Sequence, residues 1–291
     1  MKEKKTFMSF LIIVFAVNLL VNLYIFTRTR AIFPDSNAWW WAAFLLFWVI
    51  AFSYAIGRIT ERTGAMELAE PFVKVGSYWL GAMVYLTLLF LLTDILRGIN
   101  AFIPSLNVFR FNWLSPHGKW AVFAVYAIAA VILTAGYFSA KIPKISRQAI
   151  QLTKPLPEGN QRVVLVSDIH LGMMISNGRL QKLVTLVNQE KPDLILLAGD
   201  IFDEDLGPVI KKNMGDLLKN LKAKHGTYAV LGNHEFYGNA EAAHKYMTDH
   251  RITVLRDTTA VLPNGIIIAG REDITSEQMN GKKRKSVPEL L

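Results

Sequence analysis

The feature that most constrains this chain is a series of four long apolar stretches in its first half. They are Phe7–Phe26, Ala38–Gly57, about Ser77–Leu96 and about Trp120–Ala140. Each has close to the roughly 20 residues that a helix needs to cross the hydrocarbon core of a bilayer. Charged residues are nearly absent from all four. The sequence therefore predicts a multi-span α-helical membrane region over residues 1–141, with four transmembrane helices.

Composition supports this interpretation and divides the chain in two. The protein is 52% hydrophobic and its mean hydropathy is +0.28, which is high for a soluble protein. Residues 1–157 hold 15 basic and 6 acidic residues, whereas residues 158–291 hold 17 of each. The whole net charge of +9 thus lies in the apolar half. Because a nucleic-acid-binding domain needs a basic face of its own, no nucleic-acid partner is expected.

Basic residues around the apolar stretches predict how the chain is oriented. One side receives ten Lys and Arg, from the N-terminus, the second loop and the segment after the fourth stretch, and the other side receives five. Loops rich in Lys and Arg stay in the cytoplasm. Since four crossings return the chain to its starting side, we expect a multi-pass cell-membrane protein whose C-terminal domain lies on the cytoplasmic face.

Several polar residues lie inside or beside the apolar stretches. Asn18 and Asn22 share one helix face, and Asp94 lies near the end of the third stretch. In a transporter such residues would form a substrate or proton path. We favour interhelical hydrogen bonds for the asparagines and an interface position for Asp94.

A second, different pattern follows a linker over residues 142–160, which Pro143, Pro155, Pro157 and Gly159 mark. Helical periodicity begins near Asn177 and near Pro208 and covers Ala240–His250. The predicted strands are Val163–Val166, Leu194–Ala198, Thr227–Leu231, Thr253–Leu255, Thr259–Leu262 and Ile266–Ala269. Alternating strands and helices indicate a largely parallel sheet covered by helices. In such sheets ligands bind beyond the carboxyl ends of the strands.

Polar motifs follow the first three of these strands. They are Ser167-Asp168-Ile169-His170-Leu171-Gly172, Gly199-Asp200-Ile201-Phe202-Asp203 and Gly232-Asn233-His234-Glu235. Carboxylate and imidazole suit a divalent first-row ion, and the absence of cysteine excludes a thiolate site. Each motif alone is typical of a turn. Three such motifs in order, each following a buried strand, predict a metal site. A single carboxylate between two metal ions can bridge the ions for an in-line displacement at phosphorus.

This arrangement resembles the calcineurin-like metallophosphoesterase superfamily, in its bacterial membrane-associated type with N-terminal transmembrane helices. The similar stretch runs from about Arg162 to Gly270 and includes Lys191-Pro192-Asp193 before the second strand. The resemblance implies an α/β metallophosphoesterase domain of the αββα sandwich type over residues 161–291.

The resemblance also implies roles for individual residues. Asp168 and His170 would bind a first metal ion, Asp200 would bridge two ions, and Asn233 would bind the second. His234 would be the catalytic residue, steadying the phosphoryl oxygens and protonating the leaving alkoxide. Asp203 and Glu235 would lie next to the metal ligands and orient them without binding the ions. The implied cofactors are two divalent metal ions such as Mn, Fe or Zn, which activate the attacking hydroxide.

The resemblance is incomplete towards the C-terminal end. The family also uses a histidine after a later strand and a Gly-His-x-His segment, whereas no histidine of this chain lies beyond His250. Three expected ligands and most of a second sheet are therefore absent. We expect a C-terminally truncated domain whose sheet has one uncovered face. His225, His244 and His250 lie at the wrong end of a strand or on a predicted helix, so substitution by them is not expected.

Two functions of different classes remain open at this point. The leading hypothesis is a membrane-anchored, metal-dependent phosphoric ester hydrolase acting on phosphomonoesters or phosphodiesters, with lipid-linked esters among the candidate substrates. Its expected partners are this phosphate ester and the membrane bilayer. The alternative is an inactive or truncated phosphoesterase-like membrane protein with a binding or regulatory role. A transporter with an appended domain is a third hypothesis, which the charge-poor apolar stretches disfavour.

Overall fold

The computed structural model describes residues 2–33, 37–103, 111–156, 158–281 and 283–291, without the side chains of residues 2–8, 10 and 11. Pro157, one of the predicted linker markers, lies outside the described residues. The chain divides into two compact units, Met1–Ile142 and Pro143–Leu291.

The first unit contains four long helices among the described residues: α1 (Lys2–Thr29), α2 (Asn37–Arg62), α3 (Met66–Phe102) and α4 (Pro116–Lys141). All four are long and apolar enough to cross a membrane, judged by length and composition. Each predicted stretch lies within one of these helices, which confirms the predicted order of four apolar helices. The helices extend beyond the stretches because polar residues at their ends also take the helical conformation.

Close packing of apolar side chains holds these helices together. Ile25, Phe47, Leu86 and Phe90 belong to one buried cluster. Gly76 allows α3 to approach α2 closely, because a Cβ there would lie 2.2 Å from the backbone nitrogen of Tyr54. Small residues at such contacts are typical of helices that associate in lipid.

Polar contacts also join α1 to α3. Trp79 Nε1 donates to Asn22 Oδ1 at 2.8 Å, and Asn22 Nδ2 donates to Asn18 Oδ1 at 3.1 Å. Arg28 Nη2 donates to Asp94 Oδ2 at 2.7 Å. Asn22 therefore takes part in interhelical hydrogen bonding, as favoured from the sequence, and Asp94 links two helices by an ion pair.

The second unit alternates strands and helices. Its strands are β1 (Val163–Val166), β2 (Leu194–Ala198), β3 (Thr227–Val230), β4 (Thr253–Val254), β5 (Thr258–Val261) and β6 (Ile267–Gly270). Its helices are α5 (Asn177–Gln189), α6 (Gly207–Lys211), α7 (Met214–Leu218), α8 (Asn233–Tyr237), α9 (Ala240–Asp249), α10 (Ile274–Asn280) and α11 (Val287–Leu290). Strands β1 to β4 form a parallel sheet in chain order, and β5 pairs antiparallel with β6. The predicted α/β domain with a parallel sheet is confirmed.

Two helical details around the site differ from the sequence prediction. The single helix expected after Pro208 is divided into α6 and α7, because Asn213 takes a left-handed conformation with φ of +50°. Asparagine tolerates this conformation better than most residues. The short helix α8 within the third motif was not predicted, since five residues are too few to produce a helical periodicity.

Helices cover one face of the parallel sheet. Ile195 of β2 and Ala229 of β3 are buried there together with Leu180 of α5. On β1, Val163 and Leu165 point to the opposite face, because side chains alternate along a strand. Their exposed fractions are 46% and 67%. The second face of the sheet is thus open along β1, whereas the helix-covered face forms the core.

The linker contacts the amino ends of the strands. Glu158 Oε2 accepts a hydrogen bond from Lys224 Nζ at 2.9 Å and lies 3.0 Å from His225 Nε2. Asp193 Oδ2 accepts from the backbone nitrogen of Arg162 at 2.7 Å. His225 and Asp193 lie just before β3 and β2. The chain therefore enters the domain at the edge opposite to the carboxyl ends of the strands.

A strained surface residue after α5 leads to a stability prediction. Lys191 is exposed and has φ of +49°. It directly follows Glu190, the C-cap residue of α5. Glycine occupies such a position without the steric cost of a Cβ. We expect Lys191→Gly to raise the free energy of unfolding of the domain by about 1 kcal/mol. Pulse proteolysis of the full chain in urea measures this change. Lys191→Ala keeps the Cβ and is expected to give no gain; an equal gain in both variants would contradict the explanation.

Candidate active site

The loops after β1 and β2 lie side by side because backbone hydrogen bonds continue beyond the two strands. The backbone nitrogen of Asp168 donates to the carbonyl oxygen of Gly199 at 3.2 Å. The nitrogens of His170 and Leu171 donate to the carbonyls of Asp200 and Ile201, at 3.0 and 2.9 Å. The first two motifs are therefore held in register at the carboxyl edge of the sheet.

Backbone strain is concentrated in these two loops. Asp168, His170 and Asp200 have φ values of +55°, +50° and +53°. A left-handed conformation costs a residue with a side chain of the order of 1–3 kcal/mol, and such strain collects at functional sites. Three strained residues with metal-binding side chains, at one sheet edge, mark this edge as the candidate site.

Two glycines allow the loops after β2 and β3 to approach one another. A Cβ on Gly232 would lie 2.2 Å from Asp200 Oδ1, and a Cβ on Gly199 would lie 2.9 Å from the Cα of Gly232. Gly199 also has φ of +86°. Any larger residue at these positions would push the second and third motifs apart.

The three motifs together bring one group of potential ligand atoms close together. His170, Asp200 and His234 each contribute one potential ligand atom, and these three atoms lie within 4.8 Å of one another. All three residues are half-buried. The two imidazole rings are 4.5 Å apart in a T-shaped arrangement. Among the described residues, no other group of three His, Asp or Glu side chains meets this distance. His225, His244 and His250 do not belong to it.

The other sequence-predicted residues occupy different places around this group. Asp168 is exposed and lies outside the group, and Asn233 is half-buried as the first residue of α8. Asp203 Oδ1 lies 3.4 Å from His234 Nδ1, which is an ion-pair distance, although the contact lacks hydrogen-bond geometry. The metal-ligand and catalytic assignments made from the sequence stay predictions. What the structure adds is that the His234 ring adjoins His170 and Asp200.

Glu235 braces the loops after β2 and β3. Its carboxylate is buried and accepts hydrogen bonds from four backbone nitrogens. Oε1 accepts from Ile201 at 2.7 Å and Phe202 at 2.9 Å, and Oε2 accepts from Gly232 at 2.8 Å and Asp200 at 3.1 Å. This side chain therefore fixes the backbone that presents the Asp200 carboxylate.

The electrostatic setting of Glu235 is a balance of opposing effects. Burial raises the pKa of its carboxyl group, and the nearby Asp200 carboxylate acts in the same direction. Hydrogen bonds from the backbone nitrogens of Phe202 and Gly232 lower that pKa. Those backbone dipoles take over part of the role of water in stabilising the carboxylate.

Tyr237 is a neighbour of the site that the sequence motifs do not indicate. Its ring centroid is 6.1 Å from that of His234, and its side chain is exposed. Residues three apart on a helix share a face. That spacing could have identified Tyr237 only if the helix α8 had been predicted.

The residues present fit a divalent metal ion. Two imidazoles and a carboxylate are typical ligands of first-row metals. Metal–ligand bonds of about 2.0–2.2 Å place the ligand atoms of one ion roughly 3–4 Å apart, which is close to the spacing of this group. His234 Nδ1 is also buried without a hydrogen-bond partner among the described residues. The donors and this unsatisfied nitrogen together make the group a suitable metal centre.

Comparison with known proteins agrees with the geometry. Residues 161–284 match the family described as calcineurin-like phosphoesterase. This segment is a calcineurin-like phosphoesterase domain. It spans β1 to α10 and contains all three motifs of the site. The family uses divalent metal ions, as the donor group of this domain would require.

Relatives extend the comparison beyond the phosphoesterase domain. An "uncharacterized metallophosphoesterase" of Helicobacter pylori strain J99 is 29% identical over 199 residues, which are 64% of this chain and 52% of that protein. One of Aquifex aeolicus is 26% identical over 156 residues, 52% of this chain and 58% of that protein. A "transmembrane protein with metallophosphoesterase domain" of Danio rerio is 34% identical over 119 residues, 40% of this chain and 25% of that protein.

The matches thus span little more than half of these relatives at most. No solved structure gives a significant match to the chain. The transmembrane relative and the four apolar helices together indicate a membrane protein. The fold is therefore four long apolar helices followed by a calcineurin-like phosphoesterase domain.

The role of Glu235 can be tested through metal affinity. Glu235→Gln replaces one of the two accepting oxygens by an amide nitrogen, which cannot accept a hydrogen bond from a backbone nitrogen. We expect manganese affinity to fall by about 10–100-fold, as is typical when a group that orients a ligand is lost. Isothermal titration of the full chain measures this affinity. Thermal unfolding of the same sample shows whether the domain remains folded.

Glu241→Gln is the matched control, because Glu241 lies exposed on α9 and pairs with Arg256 outside the donor group. We expect its manganese affinity to equal that of the unaltered chain. Unchanged affinity in Glu235→Gln would show that the brace does not position Asp200.

Proposed function

We propose that this protein is a membrane-anchored, metal-dependent phosphoesterase that hydrolyses phosphomonoesters or phosphodiesters. The observation that carries the proposal is the convergence of His170, Asp200 and His234 at one edge of the sheet, within a phosphoesterase domain. Reversible binding alone would not need a strained and braced arrangement of this kind. Strain at Asp168, His170 and Asp200 supports a site organised for chemistry.

Two divalent ions such as Mn, Fe or Zn are the proposed cofactors. We assign Asp168 and His170 to the first ion, Asp200 to a bridging position and Asn233 to the second ion. When bound, these ions would supply an activated water nucleophile and offset the charge of the phosphoryl group. Continued backbone pairing supports the first pair of ligands, since it holds the Asp168 and His170 loop beside Asp200. Asp203 and Glu235 are the proposed supporting residues.

His234 is the proposed general acid. Its backbone nitrogen donates to Asp200 Oδ1 at 3.0 Å, so the residue is positioned by the same carboxylate that is assigned the bridging role. Asp203 Oδ1 lies 3.4 Å from Nδ1 of the same ring. With 29% of its side chain exposed, His234 can reach a substrate and deliver a proton to the leaving oxygen.

The proposed location is a multi-pass protein of the cell membrane with its phosphoesterase domain on the cytoplasmic face. Four apolar helices and the ten-to-five distribution of basic residues support this orientation. The proposed partners are the bilayer and a phosphate ester, with lipid-linked esters as one candidate class. The balanced charge of residues 158–291 supports the absence of a nucleic-acid partner.

Hydrolysis of generic aryl phosphates tests the reaction. We expect manganese-dependent release of p-nitrophenol from p-nitrophenyl phosphate or from its diester, which also separates the two substrate classes. We expect Asp200→Asn to lower the rate of this hydrolysis by more than the roughly 10–100-fold that is typical when a residue supporting a metal ligand is removed. Asp216→Asn is the control, since that carboxylate is exposed on α7 and pairs with Lys219. Equal activity of Asp200→Asn and the unaltered chain would exclude the proposed centre and favour an inactive, ligand-binding domain.

The general-acid role has its own test in the leaving group. His234→Asn retains a polar side chain but cannot donate an imidazolium proton. For an alkyl phosphate, whose leaving oxygen needs that proton, we expect a rate loss of about 10²–10⁴-fold. With p-nitrophenyl phosphate the loss should be much smaller, because p-nitrophenolate leaves unprotonated.

The number of manganese ions bound per chain of His234→Asn distinguishes a general acid from a metal ligand. This distinction is needed because the His234 ring lies within the donor group. An unchanged stoichiometry agrees with the acid role, whereas loss of an ion would make His234 a ligand. His244→Asn on α9 is the matched control and should alter neither quantity.

A further inference from the structure

A basic linker segment, residues 143–156, has properties that neither the fold nor the proposed site uses. It contains no helix or strand, and all its residues up to Pro155 are exposed. It follows α4 after a single residue, Ile142. The segment therefore begins almost directly after the end of an apolar helix.

The charge of this segment is of one sign. It contains Lys144, Arg147 and Lys154 and no acidic residue. Arg147 pairs with Glu190, from Nη2 to Oε1 at 2.7 Å. Lys144 and Lys154 have no ion-pair partner within the described part of the chain. Two uncompensated cations thus remain available for an anionic partner.

Aliphatic side chains of the same segment are also open to solvent. The exposed fractions of Ile145, Ile150 and Leu152 are 47%, 82% and 59%. Basic residues that act only as orientation signals during insertion would not need these aliphatic neighbours. The combination of lysines and exposed aliphatic residues suits the headgroup region of a bilayer, which accepts apolar side chains and attracts cations when its lipids are anionic.

Contacts on both sides of the exposed residues hold the segment in place. Arg147 is tied to Glu190 at the end of α5, and Glu158, just beyond the segment, is tied to Lys224. Ile150 and Leu152 lie between these two ion pairs. The two ion pairs therefore attach the chain to the phosphoesterase domain on both sides of these aliphatic residues.

We propose that residues 143–156 bind the surface of a bilayer that contains anionic lipids, with Lys144 and Lys154 at the lipid phosphates and Ile150 and Leu152 in the headgroup region. This inference rests on the membrane anchoring proposed above and goes beyond it. It assigns the linker a lipid contact of its own, in addition to the apolar helices.

The cysteine-free chain permits a clean test of this contact. Gln151→Cys places a single thiol between Ile150 and Leu152, and Gln181→Cys places one on exposed α5 as a control. Each full-length variant is labelled with an NBD fluorophore and reconstituted in nanodiscs of phosphatidylcholine, with or without phosphatidylglycerol. Quenching by acrylamide, a neutral aqueous quencher, measures how far the label is exposed. Both faces of a disc are open, so the direction of insertion does not affect the result.

We expect the label at position 151 to become shielded from acrylamide when phosphatidylglycerol is present, and the label at position 181 to remain accessible. A Lys144→Gln, Lys154→Gln double variant should weaken this contact on the order of 30-fold, from roughly fivefold per charge. Lys→Arg at both positions should retain it. A Lys182→Gln, Lys222→Gln variant, which removes two exposed lysines elsewhere in the domain, should leave it unchanged.

Four results would overturn the inference. Equal shielding in neutral and anionic discs would indicate burial against protein, including a second copy of the chain. Full accessibility in both would show that the segment does not bind lipid, and unchanged shielding in the Lys→Gln double variant would exclude the lysines. Failure of the chain to enter discs at all would overturn the membrane anchoring and this inference with it, whereas hydrolysis of aryl phosphates would be unaffected by either loss.

Discussion

The Glu235 carboxylate, buried between the loops after β2 and β3, accepts hydrogen bonds from four backbone nitrogens. Without it, those nitrogens would be left unsatisfied at a place where water has little access, which costs about 1–3 kcal/mol for each such group. The same contact holds Asp200 in its left-handed conformation next to Gly232. The strained loop is thus stable because the third motif supports it. The conformation of the Asp200 loop therefore depends on this brace.

Parallel strand pairing supplies the other requirement of the site. Each motif closes one strand, and the register of β1, β2 and β3 brings their carboxyl ends to one edge. The backbone bonds from Asp168 and His170 to the β2 loop extend that register into the site. The linker is held at the opposite, amino-terminal edge through Lys224 and His225, which contact Glu158. The linker and the candidate active site therefore lie at opposite edges of one small sheet and do not compete for the same space.

The two units are stabilised by different means because their surroundings differ. In the phosphoesterase domain, burial of residues such as Ile195 and Leu180 against water provides most of the stability. Apolar burial gives little advantage between helices in lipid, where close packing and polar contacts matter more. Gly76 against α2, and the bonds from Trp79 to Asn22 and from Arg28 to Asp94, are contacts of that kind. Asn22 and Asp94 thus take part in contacts between helices.

Much of the fold followed from the sequence because apolar length and periodicity are local properties. Four charge-poor stretches specified four helices, and β1 and β2 have the predicted bounds. The three motifs indicated both the sheet edge and the metal-binding chemistry. Tertiary structure alone decided that the His234 ring adjoins His170 and Asp200, that Glu235 binds four backbone nitrogens, and that Asn213 divides a helix. Such contacts join residues far apart in the chain, and they depend on strand register and loop conformation, which a pattern of neighbouring residues does not encode.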